Sequence, residues 1–460
     1  MDAIVPLVRN LNAIQFEDIP SEVILATKKS ILDTLASLIA GANAPGCPEI
    51  VGQILEWGGK EESTILNYGR KVPVFLAALA NGTMARAVDF DDVFEPGTLH
   101  ASASIVPAAL AMAERRGDID GRRFLAAVTL GIDMICRMGR THKIPPGVSG
   151  MNVTFQYAAF ACAGVAGKMI GLDEEKMVQA MGLAYTQTSG TSQNLLEGTL
   201  AIRFSQGLAA QAGVYAAVFA GKGITAAREV LQGKFGYYPV YQRGEYDPEK
   251  LLEGLGKKFE GINVTLKMYP CCMHTHSAID AIRHIAHIHS IHPSEVEKIT
   301  VKVNQQGYNF VCIPPSKAYR PQTPPEAQFS LPFAVATALI KGNVLLQDFT
   351  GEAIQNPEVL HMASKVDCTV DPELDRTSPG KVSPAIVEVR TKGGKTFLER
   401  ANERKGSPAN PMTMEEVENK LYECMKFAQK PNGVERGEEI ISFIRELESS
   451  RDVAQVVRLF

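Results

Sequence analysis

The chain is 460 residues long, about three times the length of a typical domain, so we expect two or three lobes with separate cores. Lysine and arginine number 47 and aspartate and glutamate 51, which gives a formal net charge of −4 at pH 7. A nearly balanced, slightly acidic chain does not attract a polyanion, so nucleic acid is not an expected partner.

Targeting and redox features favour a cytoplasmic protein. No stretch reaches the ~18 consecutive apolar residues that a membrane span requires, and the acidic start Met1-Asp2 differs from a basic signal peptide. The 8 cysteines form no disulfide framework, and the adjacent pair Cys271-Cys272 lacks the spacing of a zinc or thioredoxin motif. We therefore expect reduced thiols, no metal and no membrane partner.

Three segments predict a helical core. From Ser21 to Gly41, an N-cap residue, apolar residues at helical spacing and a closing glycine indicate an amphipathic helix. Residues 155–172 and 207–223 are apolar nearly all round and rich in Ala and Gly, a composition that lets buried helices approach closely. Charged residues interrupt both segments, so we expect two central helices of a bundle rather than a membrane hairpin.

Past its middle the chain changes character. Residues 297–303 and 385–401 show the alternation of strands, the second with a Gly-Gly turn typical of a hairpin, before helical periodicity returns at the C-terminus. We predict a mainly α fold with a large all-helical domain formed from both termini, residues 1–265 and 406–460. A smaller α+β lid domain, residues 266–405, is inserted between them.

The densest group of ionisable residues is Asp89-Phe90-Asp91-Asp92, followed by His100. Three carboxylates within four positions repel one another unless a cation or a proton offsets them. We expect a raised pKa for at least one of them, which suits acid/base work near neutrality. Two other interpretations stay open: a solvated turn of capping acids in which the histidine pairs with a neighbouring aspartate, and a divalent-metal loop, although the spacing fits no EF-hand.

A second group extends from Lys267 through Cys272, His274 and His276. A Tyr-Pro turn delivers thiols and imidazoles to the start of a predicted helix, where the helix dipole favours an anion and lowers the pKa of a thiol. This pattern predicts a site for an anionic ligand. The alternative is structural, with cysteines that pack in a core and histidines that bond with backbone groups.

Arg203 stands between Ile202 and Phe204 in an apolar segment. Such an arginine either pairs with a buried acid or binds a ligand carboxylate through two parallel hydrogen bonds, and both interpretations stay open. The sequence carries no dinucleotide or phosphate-loop fingerprint and no Gly-x-Ser-x-Gly nucleophile motif. We therefore expect no cofactor.

The segment around the acidic run, residues 88–114, resembles the signature of the MmgE/PrpD family. Five further segments resemble family segments in the same order: residues 30–41, 167–184, 267–281, 324–342 and 405–413. The resemblance implies a helical domain built from both termini, an α+β lid domain and a homodimer. It also implies chemistry on a proton of a carbon next to a carboxylate in a di- or tricarboxylic acid.

The resemblance extends to individual residues. As catalytic groups it implies Asp89, His100 and His276, with one of the histidines as base and Asp89 fixing its tautomer or acting as the partnering acid. We expect the substrate to be bound by Asp92, Arg203, Lys267, Cys272 and His274.

Three positions depart from the family's pattern: Val93 where a threonine is common, Ile202 where a catalytic lysine is expected, and Asn152 where a histidine often stands. The arginine that follows Ile202 cannot replace a lysine as acid or base, because it keeps its proton at working pH. The expected function is a cofactor-independent lyase, a dehydratase or decarboxylase, acting on a small polycarboxylate. An epimerase of an amino- or iminodicarboxylate and a catalytically inactive binding member are the alternatives.

Overall fold

The computed structural model describes residues 1–144, 146–378, 382, 384–429 and 433–460. By the density of internal contacts the chain forms two compact units. The first comprises Met1–Val264 and Thr413–Phe460, and the second comprises Thr265–Met412. Helices dominate both units, which confirms the mainly α fold class.

In chain order the α-helices are α1 (Ile4–Ala13), α2 (Ser21–Gly41), α3 (Cys47–Trp57), α4 (Val74–Arg86), α5 (Ser102–Arg116), α6 (Gly121–Gly139), α7 (Pro146–Ser149), α8 (Val153–Ile170), α9 (Glu174–Tyr185), α10 (Gln193–Glu197), α11 (Ala201–Gly221), α12 (Tyr237–Tyr241), α13 (Pro248–Leu252), α14 (Met273–Ile288), α15 (Gln305–Val311), α16 (Pro315–Ala318), α17 (Pro324–Gln328), α18 (Leu331–Lys341), α19 (Pro357–Ala363), α20 (Pro372–Thr377), α21 (Met414–Phe427) and α22 (Gly433–Arg445). The strands are β1 (Ser63–Ile65), β2 (Arg70–Val72), β3 (Val296–Val303), β4 (Val366–Val370), β5 (Ala385–Thr391) and β6 (Thr396–Ala401). Helices α14 to α20 and strands β3 to β6 belong to the second unit.

Helices α8 and α11 pack side by side in the core of the first unit and run in the same direction. A Cβ atom added at Gly213 would lie 2.3 Å from Cβ of Cys162, and one added at Gly221 would lie 3.6 Å from the side chain of Ile170. In both contacts the residue on α11 follows its partner on α8 by the same number of positions, which is expected when two helices run in the same direction. Glycine at 213 therefore lets the two backbones approach more closely than any side chain would allow.

The first turns of α5, α8 and α11 lie together at one end of this bundle. Ser104 on α5 donates from Oγ to Oε1 of Gln206 on α11 at 2.7 Å. The backbone N–H of His100, just before α5, donates to Oγ1 of Thr154 on α8 at 3.2 Å. Because a helix N-terminus carries a partial positive charge, three converging N-termini favour an anion at this end.

Helix α8 is the only described helix that is long and apolar enough to cross a membrane, and 94% of it is buried inside the protein. Burial of this kind is typical of a core helix of a globular protein. Helices α8 and α11 confirm the buried helices predicted at residues 155–172 and 207–223. The prediction needs one correction, because half of the last turn of α11 is exposed.

The second unit is built around a four-stranded sheet in the order β4-β3-β5-β6. Strands β3 and β4 are parallel, whereas β3 pairs with β5 and β5 pairs with β6 in antiparallel fashion. The apolar face of α14 packs with α18 and the buried sheet residues into one core, which includes Ile282, Val301 and Val387. This packing fixes the start of α14, where the second group of candidate residues lies.

Candidate active site

The acidic run forms a buried loop between α4 and α5. Helix α4 ends at Arg86, whose Nη1 lies 2.6 Å from Oδ1 of Asp89 and 3.2 Å from Oδ1 of Asp91. The three side chains are at most 9% exposed, so the loop is not solvated, although the capping acid and the histidine–aspartate pair of that interpretation are both present. Arg86 supplies the cation that neighbouring carboxylates need when they are removed from water.

Asp89 has a φ of 53°, in the left-handed region that non-glycine residues seldom adopt. Its backbone N–H donates to the carbonyl of Arg86 at 3.3 Å, and its side chain bonds with the same residue. Two contacts with one arginine thus hold an unfavourable backbone conformation in place. Strain of this kind persists only where the surroundings over-determine it, which is common at functional sites.

His100 contacts two acceptors through one ring nitrogen. Its Nδ1 lies 2.9 Å from Oδ2 of Asp91 and 2.8 Å from the backbone carbonyl oxygen of Asp92. Because a carboxylate and a carbonyl can only accept, Nδ1 carries the proton and Nε2 is the unprotonated nitrogen of the neutral ring. The His100 side chain keeps 19% of its exposure and Asp91 only 1%, so the imidazole is the member of the pair that a ligand can reach.

Asp92 binds the start of α5. Its Oδ1 accepts from the N–H groups of Ala101 and Ser102, each at 3.1 Å, and its Oδ2 accepts from the Ser102 hydroxyl at 2.5 Å. The pKa of Asp92 is raised to about 6. Burial is the largest cause and the charge of Asp33 adds to it, whereas the hydrogen bonds from Ser102 lower the pKa. These contacts make Asp92 a support of the loop, and its predicted contact with substrate stays a prediction.

Arg203 lies in the first turn of α11, and its Nη1 donates to the carbonyl oxygen of Pro45 at 2.8 Å. Burial lowers the pKa of Arg203 below its ordinary value, Arg86 lowers it further, and Asp89 opposes the change. The guanidinium keeps its proton at neutral pH. The acid loop therefore has two cations in its electrostatic neighbourhood, Arg86 and Arg203.

The second group of candidates surrounds the first turn of α14. Lys267 is 2% exposed, Cys272 is 7% exposed and His276 is fully buried. Nε2 of His276 lies 3.3 Å from the carbonyl oxygen of Cys271. Cys272 is the N-cap of the 16-residue helix α14, and His276 lies in its first turn.

His274 differs from His276 in its surroundings. Its ring stacks on that of Phe310, with centroids 5.2 Å apart and planes 10° apart. Burial lowers the pKa of His274 to about 4, so its imidazole is neutral at pH 7. A neutral ring offers a carboxylate at most one hydrogen bond and no positive charge.

The candidate residues fall into two groups. Asp89, Asp92, His100 and Arg203 belong to the first unit, and Lys267, Cys272, His274 and His276 belong to the second. The union of both groups around one substrate stays a prediction. Among the residues that the structure describes, no set of three or more His, Cys, Asp or Glu side chains is arranged to hold a metal ion.

The structure also shows residues that sequence reasoning missed. Asp89 was expected to fix the histidine tautomer, but the carboxylate that contacts Nδ1 of His100 is that of Asp91, and Asp89 bonds with Arg86. The sequence did contain a signal for Arg86, because residues three positions apart in a helix lie on the same side. An arginine three residues before an acidic cluster can therefore contact it. No local signal identifies Thr154, which reaches His100 from a separate helix.

The acid–imidazole pair lies in the helical unit that both ends of the chain form, and the α+β unit is inserted between these parts in the sequence. Two family models match the chain: the MmgE/PrpD N-terminal domain over residues 7–249 and the MmgE/PrpD C-terminal domain over residues 269–445. The chain belongs to the MmgE/PrpD family, as its motifs predicted.

The chain is similar to several curated proteins over long stretches. A cis-aconitate decarboxylase-like protein of Aspergillus oryzae, oryM, is 26% identical over 462 residues, which cover 96% of this chain and 94% of that protein. The human cis-aconitate decarboxylase is 25% identical over 469 residues, or 98% of this chain and 92% of the relative. The 2-methylcitrate dehydratase of Salmonella typhimurium is 22% identical over 367 residues, covering 74% and 72%.

Proposed function

We propose that this chain is a lyase that acts on a small tricarboxylic acid, as a decarboxylase or a dehydratase. The observation that carries the proposal is the Asp91–His100 pair beside Arg86, set where three helix N-termini converge. The similarity to the decarboxylases spans nearly the whole chain, whereas that to the dehydratase spans about three quarters of it. Decarboxylation of cis-aconitate is therefore the first reaction to test.

His100 performs the proton step in this proposal. In a dehydration, Nε2 removes a proton from a carbon next to a carboxylate, and hydroxide leaves from the neighbouring carbon with a proton from a second acid. In a decarboxylation, His100 first takes a second proton from solvent on Nε2; the bond from carbon to carboxylate then breaks, CO₂ leaves, and the electron pair that remains takes this proton from the imidazolium. The backbone carbonyl of Asp92 holds the tautomer, and the carboxylate of Asp91 stabilises the imidazolium when it forms.

Cations must stabilise the charge that builds up beside the reacting carbon. We assign the substrate carboxylates to Arg203 and Lys267, assisted by the positive helix ends of the first unit. A well-placed donor of this kind contributes on the order of 10²–10³ in rate. His276 is the second acid or base, Asp89 balances part of the positive charge of Arg86, and Cys272 and His274 border the substrate.

The proposed reaction needs no cofactor. Both steps move a proton with side chains of the chain itself, and the sequence contains no nucleotide-binding fingerprint. Activity that survives dialysis against a chelator supports this part of the proposal, whereas activity that returns only on addition of a metal ion contradicts it.

An epimerase of an amino- or iminodicarboxylate is the second candidate. The departures from the family's pattern favour it, because Asn152 caps α8 by accepting from the N–H of Phe155 at 3.2 Å and provides no imidazole. An epimerase needs a base on each face of one carbon, for which His100 and His276 are available. A binding member without activity is the remaining outcome of the experiment.

The test is incubation of the purified chain with cis-aconitate, 2-methylcitrate, citrate and iminodisuccinate in D₂O, followed by proton NMR. A lyase converts a tricarboxylate into a product that has lost CO₂ or water. Recovered substrate that is inverted and labelled with deuterium identifies an epimerase instead. Absence of turnover and exchange with all four acids contradicts both proposals and leaves the inactive binding member.

We also propose that the protein works as a homodimer. Helix α11 is buried for most of its length, yet Tyr215 and Phe219 on its outer face are 42% and 37% exposed. Phe75 meets the ring of Tyr215 edge-on at 5.8 Å and extends this aromatic surface. Light scattering gives the mass directly: twice the chain mass of 49.9 kDa supports a dimer, and a monomer contradicts it.

A further inference from the structure

A buried lysine from the C-terminal part of the chain lies beneath the acid loop. Lys420 on α21 places Nζ 2.6 Å from Oδ1 of Asp33 on α2 and 2.6 Å from the carbonyl oxygen of Phe90. The ammonium also lies 3.6 Å from the centroid of the Phe90 ring. Lys420 is 3% exposed and Asp33 is fully buried.

These contacts act on the backbone that carries the catalytic pair. Phe90 stands between the strained Asp89 and Asp91, the carboxylate that contacts His100. Arg86 holds the two aspartate side chains, but the peptide between them is held by Lys420 through the Phe90 carbonyl. The loop is thus fixed on two sides, by an arginine next to it in sequence and by a lysine more than 300 residues away.

A buried ion pair is weak evidence for a role in stability, because removing both charges from water costs about as much as their attraction returns. A pair of well-packed neutral residues would stabilise α2 against α21 as well. The additional bond from the ammonium to the Phe90 carbonyl is what an apolar replacement could not make. Asp33 faces the same loop, since its charge also raises the pKa of Asp92.

We propose that Lys420 is a positioning residue of the active site, which sets the Asp91–His100 geometry by holding the Phe90 carbonyl. This inference rests on the proposed function in so far as the pair performs proton transfer. A displacement of about 1 Å at a reacting group is enough to lower a rate on the order of 10²-fold. The C-terminal segment therefore contributes to catalysis without touching the substrate.

The chain provides a matched control. Lys28 on α2 is also a buried lysine, 6% exposed, and it also ties α2 to the C-terminal segment. Its Nζ donates to the carbonyl oxygen of Arg445 at 2.6 Å and pairs with Glu448. Lys28 has no described contact with residues 89–100, so its loss should affect stability alone.

The kinetic test compares Lys420→Met, the double variant Asp33→Asn/Lys420→Met and Lys28→Met with the wild type. Lys420→Met leaves Asp33 as a buried charge and should lower both the melting temperature and kcat. The double variant removes both charges and should regain most of the melting temperature, while kcat stays on the order of 10²-fold low and KM changes little. Wild-type kcat in a folded double variant, or an equal loss of kcat in Lys28→Met, overturns the proposal.

A second measurement requires no substrate. The protein is labelled with ¹³C at Cε1 of histidine, and the His100 signal is identified from its absence in His100→Asn. A repositioned Asp91 should shift this signal and its titration in the double variant but not in Lys28→Met. An unchanged His100 signal contradicts the positioning role even if no turnover is ever found. A shifted signal together with an inactive wild type leaves the positioning role standing and contradicts only the proposed function.

Discussion

Asp91 and His100 form a directed pair, in which Oδ2 of the buried carboxylate lies 2.9 Å from Nδ1 of the more exposed imidazole. The difference in exposure matters for function, because the carboxylate of Asp91 is shielded from solvent while the imidazole of His100 is accessible to a ligand. Arg86 balances the carboxylate from the other side at 3.2 Å. A buried acid beside an imidazole stabilises the charged ring, and here the backbone carbonyl of Asp92, 2.8 Å from Nδ1, fixes the tautomer.

Replacement of Asp91 by asparagine should lower kcat by on the order of 10²–10⁴-fold. The amide carries no negative charge to stabilise the imidazolium that forms during proton transfer, whereas the backbone carbonyl of Asp92 still accepts from Nδ1 and keeps the tautomer. Steady-state kinetics at neutral pH measure the effect, with circular dichroism to establish folding. Turnover near the wild-type rate would show that the contact with Nδ1 does not matter for the reaction.

Replacement of Arg86 by methionine should destabilise the first unit by about 3–5 kcal/mol, because two buried carboxylates lose a shared cation. Denaturant unfolding measures the difference. Arg122→Met is the control: its partner is Glu17, both side chains are more than half exposed, and the expected loss is below about 1 kcal/mol. Equal losses in the two variants would mean that the loop does not depend on Arg86.

Asp92 gives a pH-dependent prediction. Its pKa in the folded protein is raised from 3.8 to about 6, so the folded state binds this proton more tightly than the unfolded chain does. The resulting stabilisation is complete below about pH 4 and is lost as the pH rises through about 6.

Asp92→Asn mimics the protonated form at every pH and keeps acceptors and donors for Ala101 and Ser102. It should match the wild type near pH 4 and exceed it by up to about 3 kcal/mol above pH 7, since a tenfold change in proton affinity is worth about 1.4 kcal/mol. Unfolding free energies of both proteins across this range test it. A constant difference between them would contradict a raised pKa.

Gly213→Ala should destabilise the bundle by roughly 1–3 kcal/mol, because the added methyl group would lie 2.3 Å from Cβ of Cys162 and force α8 and α11 apart. Gly52 on α3 is the matched control, since a Cβ atom there has no neighbour within 4 Å. Gly52→Ala should raise stability by roughly 0.5–1 kcal/mol. Thermal unfolding of both variants provides the comparison, and a stabilising Gly213→Ala would refute the close packing.

Periodicity predicted the elements well where the signal is local. Helix α2 covers the predicted segment, Ser21–Gly41, but its N-cap is Pro20 and not Ser21 as predicted. The strand predicted at 297–303 is β3, and the hairpin predicted at 385–401 is formed by β5 and β6. Strand β4 was not predicted, because its short segment pairs with β3 only through a contact far along the chain.

The site was predictable only in part. The acidic run and His100 stand out as a local cluster, so sequence reasoning found them. It did not find which carboxylate contacts the imidazole, because that depends on the strained backbone at Asp89. Sequence reasoning could not identify Lys420, because its bond with the Phe90 carbonyl joins two segments that are far apart in the chain and share no local pattern.

The central claim is that His100 moves a proton on a carbon of a tricarboxylic acid, and product formation by His100→Asn tests it most directly. Incubation with cis-aconitate or 2-methylcitrate, monitored by proton NMR, should show release of CO₂ or water by the wild type. The variant should be slower on the order of 10²–10⁴-fold while its melting temperature stays close to that of the wild type. Undiminished product formation by a folded His100→Asn would contradict the account.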